Sequence, residues 1–200
     1  MTRFADLTVA QLLVALASPD PTPGGGTASA IAGAMGTSLL AMVSGLAKSK
    51  NNFDDEKVAL AAAKSALEPV AARLMALADA DTQAFNDVMA AYRLPKATDE
   101  QKSARTCAIQ AALRGATEIP LETLRSCAEA LAHARPIADY GNPSAASDVG
   151  VAIGLLKAAA EGAAANVRIN LTGLKDESFK ASTDVETTRL LASVTGQNTR

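Results

Sequence analysis

Apolar positions recur every three or four residues along most of the chain, the period of helices that bury one face. Thr8 followed by Gln11 has the capping-box spacing and opens a short helix through Val9, Leu12, Leu13 and Leu16, which Ser18-Pro19 stops. Pro23 then disfavours helix at Thr22, and the glycines after it permit backbone angles that other residues resist. The next helix is expected from about Thr27 to about Lys48, with Ser29, Gly33, Thr37, Ala41 and Gly45 forming a ridge of small residues that another backbone can approach. Asp54 and Asp55 suit a helix N-terminus, and an apolar pattern continues from them to Tyr92, with a kink or break expected at Pro69.

Thr98 and Gln101 repeat the capping-box spacing and start a helix through Ile109 and Leu113. Pro120 is expected to begin another, reaching about Ala134 or beyond Pro136, before Gly141-Asn142-Pro143 breaks the chain again. Ser147 and Asp148 can cap a helix toward Leu171 that carries a second small-residue ridge, Gly150, Gly154, Ala158 and Gly162. Asp176 and Glu177 suit the first turn of a last helix with Val185, Leu190, Leu191 and Val194 on its apolar face. No repeat and no long linker divides the chain, so the expectation is one all-α domain over residues 1–200, an antiparallel bundle of long, close-packed helices.

Composition agrees with that expectation: residues are 48% hydrophobic but only 3% aromatic, with long Ala-rich stretches, where a β-sandwich would want more Val, Ile, Thr and aromatics. A net charge of −2 with interspersed signs carries no footprint for nucleic acid. Cys107 and Cys127 read as small buried hydrophobes, and the absence of a secretory leader points to the cytoplasm. The stretch from Pro21 to Ala47 has no charged side chain and could span a bilayer by length. Its glycines dilute the hydrophobicity, aromatic anchors are missing and no second span accompanies it, so a buried helix of a soluble oligomer fits better.

Candidate chemistry centres on Asp81. Leu67, Val70, Leu74, Leu77, Asp81, Phe85, Val88 and Tyr92 follow one another at helical spacing, so a carboxylate interrupts an apolar stripe. Desolvated there, it must find a partner or its pKa rises toward the range of a general acid or base. The alternative is a structural Asp81 that caps a neighbouring helix, pairs with an arginine or reaches the surface; Asp79, Asn86 and Asp87 point elsewhere, toward water. Asp148 is either a helix cap or a group delivered to a site by the turn-rich loop before it. Asn166 and Asn170, four apart, offer paired amides to a flat heterocycle or to a neighbouring helix end. The PTPGGG run (21–26) fits neither the phosphate loop nor the dinucleotide fingerprint, yet bare N–H groups there could hold an anion, with Lys48, Lys50, Lys96 or Arg168 helping or merely solvated. His133 is the only histidine, so a multi-histidine metal site is excluded.

PTPGGGTASAIAGAMG, DTQAFNDVMAAYRLPK (81–96), IPLETLRSCAEAL (119–131), GNPSAASDVGVA (141–152) and AANVRINL (164–171) together resemble the cyclodeaminase/cyclohydrolase family of folate one-carbon metabolism. The resemblance implies an all-helical, metal-free and cofactor-free subunit that forms a homodimer or higher homo-oligomer. Its substrate would be a tetrahydrofolate derivative, with chemistry at the carbon bridging N5 and N10. The leading expectation is a formiminotetrahydrofolate cyclodeaminase yielding 5,10-methenyltetrahydrofolate and ammonia. A methenyltetrahydrofolate cyclohydrolase and a non-catalytic folate-binding dimer are the alternatives. Carried over by motif, Asp81 would be catalytic, and Gly24, Gly25, Gly26, Lys48, Asp148, Asn166 and Asn170 would bind substrate. Where some members read G-K-K-K-Y, this chain reads AKSKNNF (47–53), keeping cations at Lys48 and Lys50.

Overall fold

The computed structural model describes residues 3–196, and every element among them is helical: α1 (Val9–Ala17), α2 (Gly25–Ser44), α3 (Asp54–Arg93), α4 (Asp99–Ala132), α5 (Ala134–Tyr140), α6 (Ala146–Leu171) and α7 (Glu177–Thr195), with single 3-10 turns before α1 and α6. Both capping boxes form: the Thr8 and Thr98 hydroxyls accept from the N–H groups of Gln11 and Gln101. Asp176 caps α7 by accepting from Phe179 N–H. Ser147 and Asp148 do not cap α6; they lie inside its first turn, after an uncapped Ala145.

α3 and α6 pack antiparallel to α2. Along α2 and α3, Thr27 meets Asp81, Gly33 meets Leu74 and Gly45 meets Lys64, so the two run in opposite directions. Gly36 lies against Ala152 and Leu156, and Gly25 near Asn166, so α6 also runs opposite to α2. The first small-residue ridge works as expected at Ser29, Gly33 and Thr37, which are buried, but it leaves the core at Gly45. The second ridge does not: Gly150, Gly154 and Ala158 are exposed, with nothing within 4 Å of a Cβ placed on either glycine. Only Gly162 of that set faces α2, against Ser29. Leu40, Leu67, Leu74, Leu124, Leu131, Ile137 and Leu156 fill the centre. α2 is long and apolar enough to cross a membrane, yet more than half of that stretch is buried within the bundle.

Neither internal proline ends a helix. α3 runs 40 residues through Pro69 and α4 runs 34 through Pro120. A proline lacks the N–H that would bind the carbonyl four residues earlier. For Pro69 that carbonyl belongs to Ser65, on the exposed side of α3, where water can serve it. For the buried Pro120 it belongs to Ala116, and the Asn170 amide Nδ2 of α6 donates to it at 2.7 Å.

Other expectations shift in detail. On α7, Leu190 and Val194 are buried as expected, but Val185 is exposed and Thr183 and Thr187 complete the buried face. Cys107 is exposed, whereas Cys127 is buried and its thiol is pushed up to about 12 by burial. Asp79 is not merely solvated, because it accepts from Phe4 N–H at 2.8 Å and ties the N-terminal turn to α3.

Glu56 organises the loop between α2 and α3. Its buried carboxylate accepts from Ser49 Oγ at 2.6 Å, from the N–H and side-chain amide of Asn51 at 2.9 and 2.7 Å, and from Phe53 N–H. These donors, the Ser49 hydroxyl foremost, hold its pKa down to about 2 from an ordinary 4.5. Because the folded value is depressed, the stabilisation is fully present above the unfolded value and is lost as pH falls from about 4.5 toward about 2. Glu56→Gln is therefore expected to lower the urea midpoint at pH 7, with the gap to wild type closing in acid. A gap that does not depend on pH would contradict this.

Candidate active site

Where the N-terminus of α2 meets α3, α4 and the end of α6, the bundle leaves a cavity of about 300 Å³. Its rim carries Pro21, Thr22 and the three glycines; Phe85, Val88 and Leu113 give it an apolar wall; Asp81, Asn166 and Asn170 supply its polar side chains. The chain enters α2 through a cis Thr22–Pro23 peptide bond and Gly24, the residue before the first turn. No described glycine has a positive φ, so the glycine run is not there for backbone angle. Space explains Gly26 instead. A Cβ at Gly26 would collide with the Asp81 carboxylate, lying 2.6 Å from Cγ, whereas at Gly24 and Gly25 it would sit 3.8 Å from its nearest neighbour.

Asp81 pairs with no cation among the described residues; it meets the first turn of α2, where the Thr27 N–H also faces its carboxylate. Its partner is Thr27, whose Oγ1 donates to Oδ2 at 2.9 Å. Burial raises the Asp81 pKa above the ordinary carboxylate value, and the Thr27 hydroxyl opposes that rise. The stripe reading of α3 is thereby located: Leu67 to Leu77 are core, while Asp81, Phe85 and Val88 are half-buried and line the cavity. Tyr92, the last of that stripe, is exposed.

Asn166 and Asn170 both line the cavity, but their Nδ2 groups serve the backbone. Asn166 donates to Gly162 O at 2.9 Å, and Asn170 to the carbonyl freed by Pro120. Their Oδ1 atoms have no hydrogen-bond partner among the described residues, so both remain available as acceptors. The chemistry on offer is one half-buried carboxyl group, two amide acceptors and an apolar wall, which suits a flat, nitrogen-rich ligand.

Lys48 and Asp148 lie elsewhere. Gly141 packs on Val43, and Lys50 N–H donates to Tyr140 O, so the Lys48 loop and the start of α6 gather at the C-terminal end of α2. That end is about 30 Å from the glycine run, the length of a 20-residue helix. A second cavity of about 310 Å³ is found there, lined by Lys50, Ile137, Asn142 and Ile153 among others. Within one chain, then, Gly24, Gly25, Gly26, Asp81, Asn166 and Asn170 converge, while Lys48 and Asp148 do not join them. Arg168 pairs with Asp184 at 3.8 Å, outside the cavity. No group of three or more His, Cys, Asp or Glu among the described residues is placed to hold a metal ion.

Sequence reasoning did not assign a role to Thr27 or Thr82. Both hydroxyls are buried beside Asp81. The adjacency of Thr82 to Asp81 and of Thr27 to the glycine run was the only local hint.

Residues 8–189 match the family model described as formiminotransferase-cyclodeaminase. A methenyltetrahydrofolate cyclohydrolase of Methylorubrum extorquens is 40% identical over 193 residues, 96% of this chain and 93% of that protein. The formimidoyltransferase-cyclodeaminase of Gallus gallus is 35% identical over 169 residues, and the match takes in 84% of this chain but only 31% of the longer protein. The crystal structure of a formiminotetrahydrofolate cyclodeaminase from Thermotoga maritima superposes with a TM-score of 0.85 at 28% identity, covering 96% of this chain and 92% of the other.

Proposed function

The chain belongs to the formiminotransferase-cyclodeaminase family, and from that premise we propose that it hydrolyses 5,10-methenyltetrahydrofolate, with Asp81 as the proton-transfer group. The family relationship makes it an enzyme of one of two kinds, a methenyltetrahydrofolate cyclohydrolase or a formiminotetrahydrofolate cyclodeaminase. The non-catalytic binder is set aside on that ground. The cyclohydrolase reading takes precedence over the cyclodeaminase expected from sequence because of the 40% identity that spans nearly all of both proteins. The observation that carries the catalytic part is the half-buried Asp81 carboxyl in a cavity with no competing acid or base among its lining side chains.

In this reading water adds to the bridging carbon and gives a proton to Asp81. The carbon–nitrogen bond to one of the two nitrogens then breaks, Asp81 returns its proton to that nitrogen, and the hydroxyl proton leaves to solvent as the formyl C=O forms. One water is consumed and one proton released. The cationic methenyl bridge is attracted to a carboxylate, so the same group stabilises charge as well as moving protons. The amide acceptors of Asn166 and Asn170 suit the N–H edge of a pterin, and the wall of Phe85 and Val88 its face. The proposed reaction needs no cofactor, and the proposed compartment is the cytoplasm.

The cyclodeaminase remains the second reading, supported by the structural likeness to the Thermotoga maritima enzyme. It uses the same carboxyl, with N10 as nucleophile and ammonia leaving. A homodimer is part of the proposal: the outward face of α6 (Gly150, Gly154, Ala158) and the exposed Met35, Met42 and Val151 offer a second copy a smooth apolar surface. The test is direct. Purified protein should erase the near-ultraviolet absorbance of 5,10-methenyltetrahydrofolate faster than buffer does. With 5-formiminotetrahydrofolate the cyclohydrolase reading predicts no ammonia; ammonia with rising absorbance would give the second reading priority, and neither change would end both.

A further inference from the structure

Asp81 does not stand alone in its cavity. Thr27 Oγ1 lies 2.9 Å from Asp81 Oδ2 and 3.3 Å from Thr82 Oγ1, and the two threonines are 0% and 1% exposed. An ionised carboxylate can only accept a hydrogen bond, so Thr27 must donate to it. A hydroxyl carries one hydrogen, so Thr82 must in turn donate to Thr27. The order Thr82 to Thr27 to Oδ2 follows from valence alone, and water has no access to alter it.

The other oxygen, Oδ1, sits over Gly26, where any side chain would displace it, and the Thr27 N–H faces the same carboxylate. We propose that Thr27, backed by Thr82, is a positioning residue that occupies Oδ2 as a permanent acceptor and leaves Oδ1 as the oxygen that carries the transferable proton. The two carboxylate oxygens are thereby made inequivalent, and the carboxyl is held in one rotamer with its free oxygen toward the substrate. The proposal rests on the one-carbon reading of the cavity, but it holds for either reaction, because both use Asp81 in the same way.

The bond from Thr27 also restrains the effect of burial on the carboxyl, so losing it has a titration signature. Thr27→Val keeps the shape and removes the hydroxyl. It is expected to lower kcat about 10- to 100-fold, the usual consequence of a misplaced catalytic group, with little change in KM. The limb of the kcat profile that rises as Asp81 ionises should move to higher pH. Thr27→Ser should retain the wild-type profile, and Thr82→Val should shift it in the same direction by less.

Carbon-13 NMR of labelled aspartate carboxyls, with Asp81→Asn used to assign the signal, reads the same shift without any turnover. If wild-type protein transforms neither folate, the functional reading fails while this titration still decides the positioning role. Should Thr27→Val melt early because Thr82 is left unpaired, the Thr27→Val/Thr82→Val double variant removes both buried hydroxyls and carries the same expectation. A carboxyl that titrates as in wild type in a folded variant lacking the Thr27 hydroxyl, with kcat unchanged, overturns the proposal.

Discussion

Asp81→Asn is expected to lower turnover by about 100- to 10,000-fold, the range that a positioned general acid or base contributes, while the helical far-ultraviolet spectrum stays unchanged. Asparagine has the same shape and can still accept from Thr27 through its Oδ1, so the buried hydroxyl pair keeps its acceptor. What disappears is the proton-carrying carboxyl. Burial raises the Asp81 pKa, which means the folded state pays a desolvation cost for the charged form at neutral pH. The variant should therefore melt no lower than wild type, as expected where a charged group is kept for its chemistry. Steady-state rates with either folate, beside a thermal melt, check both parts. Near-normal turnover would remove Asp81 from the mechanism.

Gly36→Ala is expected to cost about 1–3 kcal/mol of stability, the range for overpacking a tight core. For a domain of this size that is a fall of about 2–4 °C in Tm per kcal/mol. A methyl group at Gly36 would lie 2.7 Å from the backbone oxygen of Ala152, 2.9 Å from Leu156 Cγ and 3.2 Å from Leu155 Cβ. The backbone oxygen cannot swing aside, so α2 and α6 must separate, and their separation carries Gly25 away from Asn166 at the cavity. Gly154→Ala is the control: with open space around it, alanine should gain up to about 1 kcal/mol from helix propensity in the isolated chain. Thermal melts of the two variants compare them. Destabilisation by Gly154→Ala that grows with protein concentration would place a second copy on the outer face of α6. Equal melting of Gly36→Ala and wild type would contradict the close crossing.

The elements that were legible from sequence share a short range. Thr8 with Gln11 and Thr98 with Gln101 announce helix starts because capping links residues three apart, and the four-residue recurrence from Ser29 to Thr37 announces a buried face. Pro120 misled because local chemistry gives a proline only its penalty. The compensation, an amide on Asn170, lies 50 residues later in the chain. The glycine run misled in a similar way: flexibility is the local expectation, but what Gly26 provides is room for a carboxylate 55 residues away. The second small-residue ridge promised a close helix contact that Gly150, Gly154 and Ala158 do not make within the chain, because spacing does not record which side of α6 faces the bundle.

Sequence alone determined that this chain is helical, where most helices begin, and that one carboxylate on α3 interrupts an apolar stripe. Periodicity and capping act within a few residues and need no partner. Tertiary structure alone decided that Asp81 lies over Gly26 and against Thr27, that Asn166 and Asn170 face the same cavity, and that Lys48 and Asp148 gather about 30 Å away. Those placements depend on which helices cross, in which direction and how closely. The crossings are set by the volumes of side chains distant in sequence, at Gly36 above all, and no local pattern records them.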